Sequence, residues 1–239
     1  MSAGLPSIFE AYVTGAGPSS SHSIGPQRAA RRFRDSLAAA PARIRVTLFG
    51  SLAATGRGHW TDRTLVRELD PVPVAVVFDT HTGGLPHPNT LKFEAFDAAG
   101  GLLKEWTVCS IGGGALRNPD GSRAEPAVHP VEYPVGDIAG AMDYCRAHHL
   151  AFWQLVERTE HDLWPRLDVI WDAMRDAVKR GLASPQILLP GTLELARRAR
   201  LTWTRAKDLR GTPRDLGLVA AFALAAQAGG HHIQVLGVA

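Results

Sequence analysis

Cysteine is scarce in this sequence: its 239 residues include only Cys109 and Cys145, far apart in unrelated contexts. Neither has a second cysteine at metal-ligand spacing, so the sequence argues against a disulfide framework and predicts free thiols in a reducing, cytoplasmic setting. Long apolar runs are also missing, and the longest, 218–226, is too short to cross a bilayer. The first residues lack a basic segment followed by an apolar run, so no signal peptide is expected and no membrane partner is predicted.

Strong charge is likewise absent. The formal net charge is +3, and 45% hydrophobic with 21% charged residues is ordinary for a soluble globular protein. Arginines cluster only at 28–34 and 197–200, both in predicted helices, and no aromatic ladder accompanies them. These clusters therefore indicate solvated helix faces, and nucleic acid is not expected as a partner.

Hydrophobic periodicity predicts an α/β (α+β) amino-terminal domain. Residues 43–49 alternate, with Ile44, Val46 and Leu48 on one side, which is typical of a strand with one buried face. The other predicted strands are 74–78, 91–96 and 102–111, and the predicted helices are 25–39, 62–70, about 136–145, 151–160 and 164–180. The composition changes near residue 135. We therefore expect a small mixed sheet flanked by helices in residues 1–135, and a helical segment in 136–239 that begins an all-α domain.

A loop rich in hydroxyl groups, Gly17-Pro18-Ser19-Ser20-Ser21-His22-Ser23-Ile24-Gly25-Pro26, precedes the first predicted helix. Serine is a good N-cap, and a helix start attracts carboxylates or phosphates through its unpaired amides. A histidine there can exchange a proton near neutral pH. A capped helix with a solvent-facing histidine and a ligand-binding loop are both compatible with this stretch.

Three further stretches follow in order: Gly50-Ser51-Leu52-Ala53-Ala54-Thr55-Gly56-Arg57-Gly58-His59 with Thr61-Asp62, then His87-Pro88-Asn89-Thr90, then Ser110-Ile111-Gly112-Gly113-Gly114. Together with the serine-rich loop, they resemble the iron–sulfur-dependent L-serine dehydratases (L-serine ammonia-lyases). The similarity runs from about Ser7 to about Arg200, and Leu188-Leu189-Pro190-Gly191 resembles the start of the family's catalytic domain. The resemblance implies that the chain is a beta chain or an amino-terminal portion.

The resemblance also implies the site. His22 and His59 are the candidate general base and its partner, and Ser20, Ser21 and Ser23 are candidates for binding the substrate carboxylate. Asn89 is a further candidate for substrate binding, although asparagine also favours turns for structural reasons. A positive helix end near each imidazole would favour its neutral, basic form.

In this family a [4Fe–4S] cluster is understood to act as the Lewis acid for the departing hydroxyl. Cys109 and Cys145 do not match the family's cluster ligands, so the ligands are expected outside this chain and no metal site is predicted within it. The expected partners are L-serine and a catalytic alpha chain or missing carboxy-terminal domain, in a homo-oligomer. A non-catalytic, serine-binding regulatory module and a non-functional truncated product are the alternatives.

Overall fold

The computed structural model describes residues 5–17, 19–125, 131–188, 196–228 and 231–235. The strands are β1 (Tyr12–Ala16), β2 (Arg43–Phe49), β3 (Val74–Asp79), β4 (Thr90–Phe96), β5 (Leu102–Gly112), β6 (Ala115–Arg117) and β7 (His231–Val235). The helices are α1 (Gly25–Asp35), α2 (Gly50–Thr55), α3 (Thr61–Leu69), α4 (Ile138–Ala147), α5 (Phe152–Thr159), α6 (Leu163–Ala183), α7 (Ala199–Lys207) and α8 (Thr212–Ala228). The predicted Leu188–Gly191 segment lies largely outside the described residues.

Five strands form a mixed sheet in the order β3-β2-β4-β5-β6, in which only β2 and β3 are parallel. Ile44, Val46 and Leu48 are buried, as their alternation predicts, and Phe93 of β4 stacks on Phe33 of α1 at 5.1 Å. On the other face, Arg45 pairs with Glu94 and Lys92 with Glu105, because successive strand residues point to opposite sides. The sheet and its helices confirm the predicted fold class.

The structure corrects several predicted boundaries in the amino-terminal half. The first helix ends at Asp35 instead of continuing to 39, and residues Ser20–Ile24, expected in a loop, form a π-helical turn that leads directly into α1. Residues Gly50–Thr55, read only as a stretch of small residues, form the short helix α2. Strand β6 was not anticipated, because three residues are too few to show a period.

Helices α4, α5 and α6 appear where the sequence predicts helices. Cys145 of α4 is buried, whereas Ile138 and Met142 on the same side of that helix are 65% and 48% exposed. Gly181 lies inside α6 against the backbone of Ala225 in α8. None of the described helices is both long and apolar enough to traverse a membrane.

The beginning of the chain contacts the helical part. Glu160, at the end of α5, is buried and accepts hydrogen bonds from Ser7 Oγ (2.9 Å), the Ile8 N–H (2.8 Å) and the Tyr133 hydroxyl (2.9 Å). Strand β1 pairs antiparallel with β7, an arrangement that joins distant parts of the sequence. The domain boundary near residue 135 stays a prediction.

Candidate functional site

The site lies at the edge of the sheet where β2 ends. Gly50 and Ser51 follow this strand directly and begin α2. Gly50 has a positive φ of 52°, and a side chain there would approach the Pro88 carbonyl. The Ser51 N–H donates to that same carbonyl at 2.8 Å. The loop 87–89 is therefore held directly against the start of α2.

His22 lies in the π-helical turn before α1. The side chain of Ser19 caps this turn by accepting from the His22 N–H at 3.3 Å. His22 is only 9% exposed. π-Helical turns are rare and often occur at functional sites. The serine-rich stretch thus presents its histidine toward the protein interior instead of toward solvent.

The structure brings His22 and His59 together. Their ring centroids are 4.7 Å apart, with an angle of 39° between the planes. Two hydroxyl groups hold the backbones in place: Ser23 Oγ donates to the His59 carbonyl at 2.9 Å, and Thr61 Oγ1 donates to the His22 carbonyl at 2.5 Å. Thr61, the first residue of α3, therefore links the two segments.

The two rings have different hydrogen-bond partners. His22 Nδ1 lies 2.9 Å from Ser21 Oγ, and His22 Nε2 lies 3.2 Å from Ser51 Oγ. His59 Nδ1 lies 3.0 Å from the Thr55 carbonyl. Burial lowers the pKa of His22, and the nearby His59 lowers it further, while a hydrogen bond with Ser51 acts in the opposite direction. The neutral form is thus favoured at His22, chiefly by burial instead of the predicted helix end.

Asn89 and Ser110 complete the surroundings. Asn89 Nδ2 donates to the Ser110 carbonyl at 3.2 Å, and the Ser110 N–H donates to the Asn89 carbonyl at 2.9 Å. A methyl group on Gly25 would overlap Ser110 Oγ, so this hydroxyl lies directly against the first residue of α1. Within the described part of the chain, the buried Asn89 Oδ1 and Ser110 Oγ have no hydrogen-bond partner. Buried polar atoms are normally bonded, so both are suited to a ligand or an ordered water.

These contacts connect all the sequence-predicted site residues into one region. The closed series of neighbours runs through His22, Ser51, Pro88, Asn89, Ser110, Gly25 and Ser20. Ser20 is buried, with its carbonyl accepting from the Gly25 N–H, and Ser21 bonds to His22. Ser51 and Ser110 lie within the sequence motifs, but the sequence alone does not mark them as site residues. The signal for Ser51 is its position just after a predicted strand, and that for Ser110 is the run of glycines that follows it.

Comparisons with known proteins agree with the resemblance to the L-serine dehydratases. Residues 7–76 match the family model of the serine dehydratase beta chain. An L-serine dehydratase of Streptomyces coelicolor is 30% identical over 263 residues, covering 89% of this chain and 57% of the relative. One of Helicobacter pylori is 28% identical over 267 residues (93% of this chain, 59% of the relative), and L-serine dehydratase 2 of Escherichia coli is 27% identical over 241 (81% and 52%).

The chain is a relative of the L-serine dehydratases. This confirms the resemblance inferred from the four motifs, and the match to residues 7–76 includes both His22 and His59. The chain spans about half the length of the curated relatives that it matches.

The residues of this L-serine dehydratase relative do not fit an iron–sulfur cluster. Such clusters are held by cysteine thiolates. Cys109 and Cys145 are both buried, one in β5 beside Thr90 and the other in the small core of the helical part. Among the described residues, no group of three or more His, Cys, Asp or Glu side chains could hold a metal ion.

Proposed function

We propose that this chain supplies the serine-binding site and the general base of an L-serine ammonia-lyase, which converts L-serine to pyruvate and ammonia by β-elimination. The observation that carries the proposal is the pair of imidazoles 4.7 Å apart, surrounded by the hydroxyls of Ser21 and Ser51. The relatives named L-serine dehydratase support this choice of reaction. We further propose that residues 1–135 form the beta domain and that 136–239 begin the catalytic domain.

His59 is the better placed base. A carbonyl oxygen can only accept a hydrogen bond, so the 3.0 Å contact with the Thr55 carbonyl fixes the proton of neutral His59 on Nδ1. Nε2 of His59 then carries the lone pair that can remove the α-proton of serine. In functional histidines, the hydrogen bond made by one ring nitrogen usually determines the role of the other ring nitrogen.

His22 is proposed as the partner of this base. Its lowered pKa keeps it neutral near pH 7, so it does not repel the proton that His59 takes up. Both of its nitrogens face hydroxyls, which can either donate or accept, so His22 can pass a proton on in either direction.

The serine hydroxyls divide into two groups. Ser20 and Ser21 lie at the start of the helical segment, where backbone amides favour a carboxylate, and we propose that they bind the carboxylate of the substrate. The Ser23 hydroxyl already donates to the His59 carbonyl, so its contribution is to position the base. Asn89 Oδ1, a buried acceptor without a partner in the described chain, is suited to the substrate ammonium group.

In the proposed elimination, the His59 Nε2 lone pair takes the α-proton, and the C–H electron pair forms the Cα=Cβ bond. The Cβ–O bond breaks with its electron pair on the oxygen, and the hydroxyl departs as water with the proton that His59 removed. The resulting aminoacrylate tautomerises and is hydrolysed to pyruvate and ammonia. We propose that the group assisting the hydroxyl, including the cluster that the family implies, is held outside these residues, in a catalytic alpha chain or a carboxy-terminal domain, and we assign no step to it.

Anaerobic reconstitution with iron and sulfide tests the proposal. The chain is combined with a candidate catalytic chain, and pyruvate release is followed. Because a general base contributes about 10²–10⁴-fold, His59→Ala should lower turnover by at least about 100-fold. His22→Ala should also lower it strongly, whereas His81→Ala, in an exposed loop, should not.

Wild-type rates in both site variants would contradict the assignment of the base and its partner. Serine binding measured by calorimetry without turnover would favour a regulatory module.

A further inference from the structure

Helix α6 carries an apolar stripe that is largely exposed. Trp164, Trp171 and Met174 are 55%, 59% and 42% exposed, and Leu167 and Val178 are partly buried. The five residues follow one another in steps of three and four, so they lie on one side of the helix. This is the spacing with which one helix packs against another.

The stripe is separate from the side of α6 that already has a partner. Ala177 and Gly181 are buried, and Gly181 packs against the backbone of Ala225 in α8. At 100° per residue, the stripe is centred about a quarter of a turn away from this side. The contact with α8 therefore leaves most of the stripe uncovered.

A neighbouring side of α6, also exposed, carries charged residues. Two ion pairs lie within the helix there, Arg175 with Asp172 at 2.7 Å and Lys179 with Asp176 at 3.9 Å. Exposed apolar patches with polar borders mark interaction sites. Because the stripe itself consists of uncharged, mainly apolar side chains, the partner that it fits presents an apolar surface.

The same surface continues onto α5. The Trp164 indole N–H donates to Glu157 of α5 at 2.8 Å, which fixes the ring against that helix. Trp153 lies one helical turn before Glu157 on the same side and is 57% exposed. We define the α5–α6 apolar surface by the residues Trp153, Trp164, Leu167, Trp171, Met174 and Val178.

The lengths of the relatives indicate what covers this surface. The alignments cover 57% of the Streptomyces coelicolor L-serine dehydratase and 59% of the Helicobacter pylori one. About two fifths of each relative thus has no counterpart in this chain, although α6 lies well inside the aligned length. We propose that the α5–α6 apolar surface binds an amphipathic helix of the part of the relatives that has no counterpart in these residues. This inference rests on the proposed function, which requires such a part.

Co-expression tests the proposal. The full chain is produced together with the section of the Streptomyces coelicolor relative that has no counterpart here, as a second, tagged chain, and the affinity of the complex is measured without serine. The double substitution Trp171→Glu with Met174→Glu places charge on exposed side chains, so circular dichroism should be unchanged. Loss of central interface residues should weaken binding by at least about tenfold. Leu102→Glu with Leu103→Glu, also exposed, is the matched control and should have little effect.

Three results would overturn the inference. The first is an unchanged affinity of the complex when this chain carries the two α6 substitutions. The second is the absence of a complex between the wild-type chain and a soluble, helical second chain. The third is self-association of this chain alone that the two α6 substitutions abolish. The last would identify a second copy as the occupant. A complex that shows the α6 dependence but releases no pyruvate after anaerobic reconstitution with iron and sulfide would reject the proposed function and leave the interface standing.

Discussion

At the scale of single residues, the environment of His22 determines its protonation. Burial and the proximity of His59 both lower the pKa of His22 below its ordinary value of about 6.5. An unfolded chain would therefore take up a proton at this residue at a higher pH than the folded protein does. The contribution of His22 to stability is constant above about pH 6.5 and falls as the pH drops below it.

Replacing His22 by Gln should remove this pH dependence. The free energy of unfolding of the wild type, measured in urea, should fall relative to that of His22→Gln between pH 7.5 and pH 5. An NMR titration of the ring gives a direct check: His59→Ala should raise the pKa of His22, because one of the two causes is removed, but burial should keep it below about 6.5. An unchanged titration midpoint in His59→Ala would show that the two rings do not interact electrostatically in solution.

The close approach of Gly25 and Ser110 gives a steric prediction. Gly25 has helical backbone angles, so alanine would be accepted by the helix, but its methyl group would overlap the Ser110 side chain. Overpacking of this kind typically costs about 1–3 kcal/mol, and we expect Gly25→Ala to be destabilised by that amount in urea unfolding. Adding Ser110→Gly should recover part of the loss. Gly83→Ala, where nothing lies within 4 Å, is the control.

At the scale of elements, Glu160 joins the first described segment to α5. Burial and the hydrogen bond to Glu160 raise the pKa of Tyr133, so its hydroxyl remains a donor throughout the ordinary pH range. Glu160→Gln replaces one acceptor oxygen by a donor and should destabilise the protein by about 1.5–3 kcal/mol, the range for hydrogen bonds to charged groups.

Asp143→Asn is the matched control for this substitution. Asp143 pairs with Arg146 in α4, and both side chains are more than 70% exposed. Its loss should change the unfolding free energy by at most about 1 kcal/mol. Equal effects of the two substitutions would mean that the contacts of Glu160 contribute no more than a surface ion pair does.

The sequence predicts the sheet elements well because their signal is local. The alternation of Ile44, Val46 and Leu48 places β2 at its observed bounds. The π-helical turn escaped prediction because serines flanked by Gly-Pro are typical of loops. The pairing of β1 with β7 could not be read from the chain, because two short strands at opposite ends share no local pattern.

The candidate site was predictable in its members but not in its arrangement. His22, His59 and Asn89 stand out through their motifs, yet only the fold shows that the two rings are neighbours and that Ser51 and Ser110 join them. These contacts depend on how the end of β2, the start of β4 and the last part of β5 are placed relative to one another. Such register is a property of the assembled sheet.

At the scale of the whole molecule, the described residues form two cores of unequal size. The core of the sheet part contains fifteen buried residues, including Phe33, Val46 and Phe93, whereas the cluster around α4 and α5 contains four, Tyr133, Ala141, Cys145 and Leu155. Because buried apolar area is the main source of stability, the region of α4 and α5 should open at lower denaturant concentration.

The two cysteines report on this difference separately. Cys109 lies in β5 and Cys145 in the small core, and both are buried. In a pulse of thiol reagent at increasing urea concentration, Cys145 should be modified before Cys109. Single-cysteine variants, Cys109→Ser and Cys145→Ala, identify which thiol has reacted. Simultaneous modification of both thiols would show that the chain unfolds as one cooperative unit.

The hydrogen bonds around the two imidazoles are reciprocal, because the neighbour of each histidine donates to the carbonyl of the other. Ser23, next to His22, donates to the His59 carbonyl, and Thr61, two residues after His59, donates to the His22 carbonyl. The backbone of neither histidine can therefore shift without displacing the backbone segment of the other. In the course of evolution, the two segments are expected to tolerate insertions and deletions only outside 22–23 and 59–61, since any change of spacing there would uncouple both contacts at once.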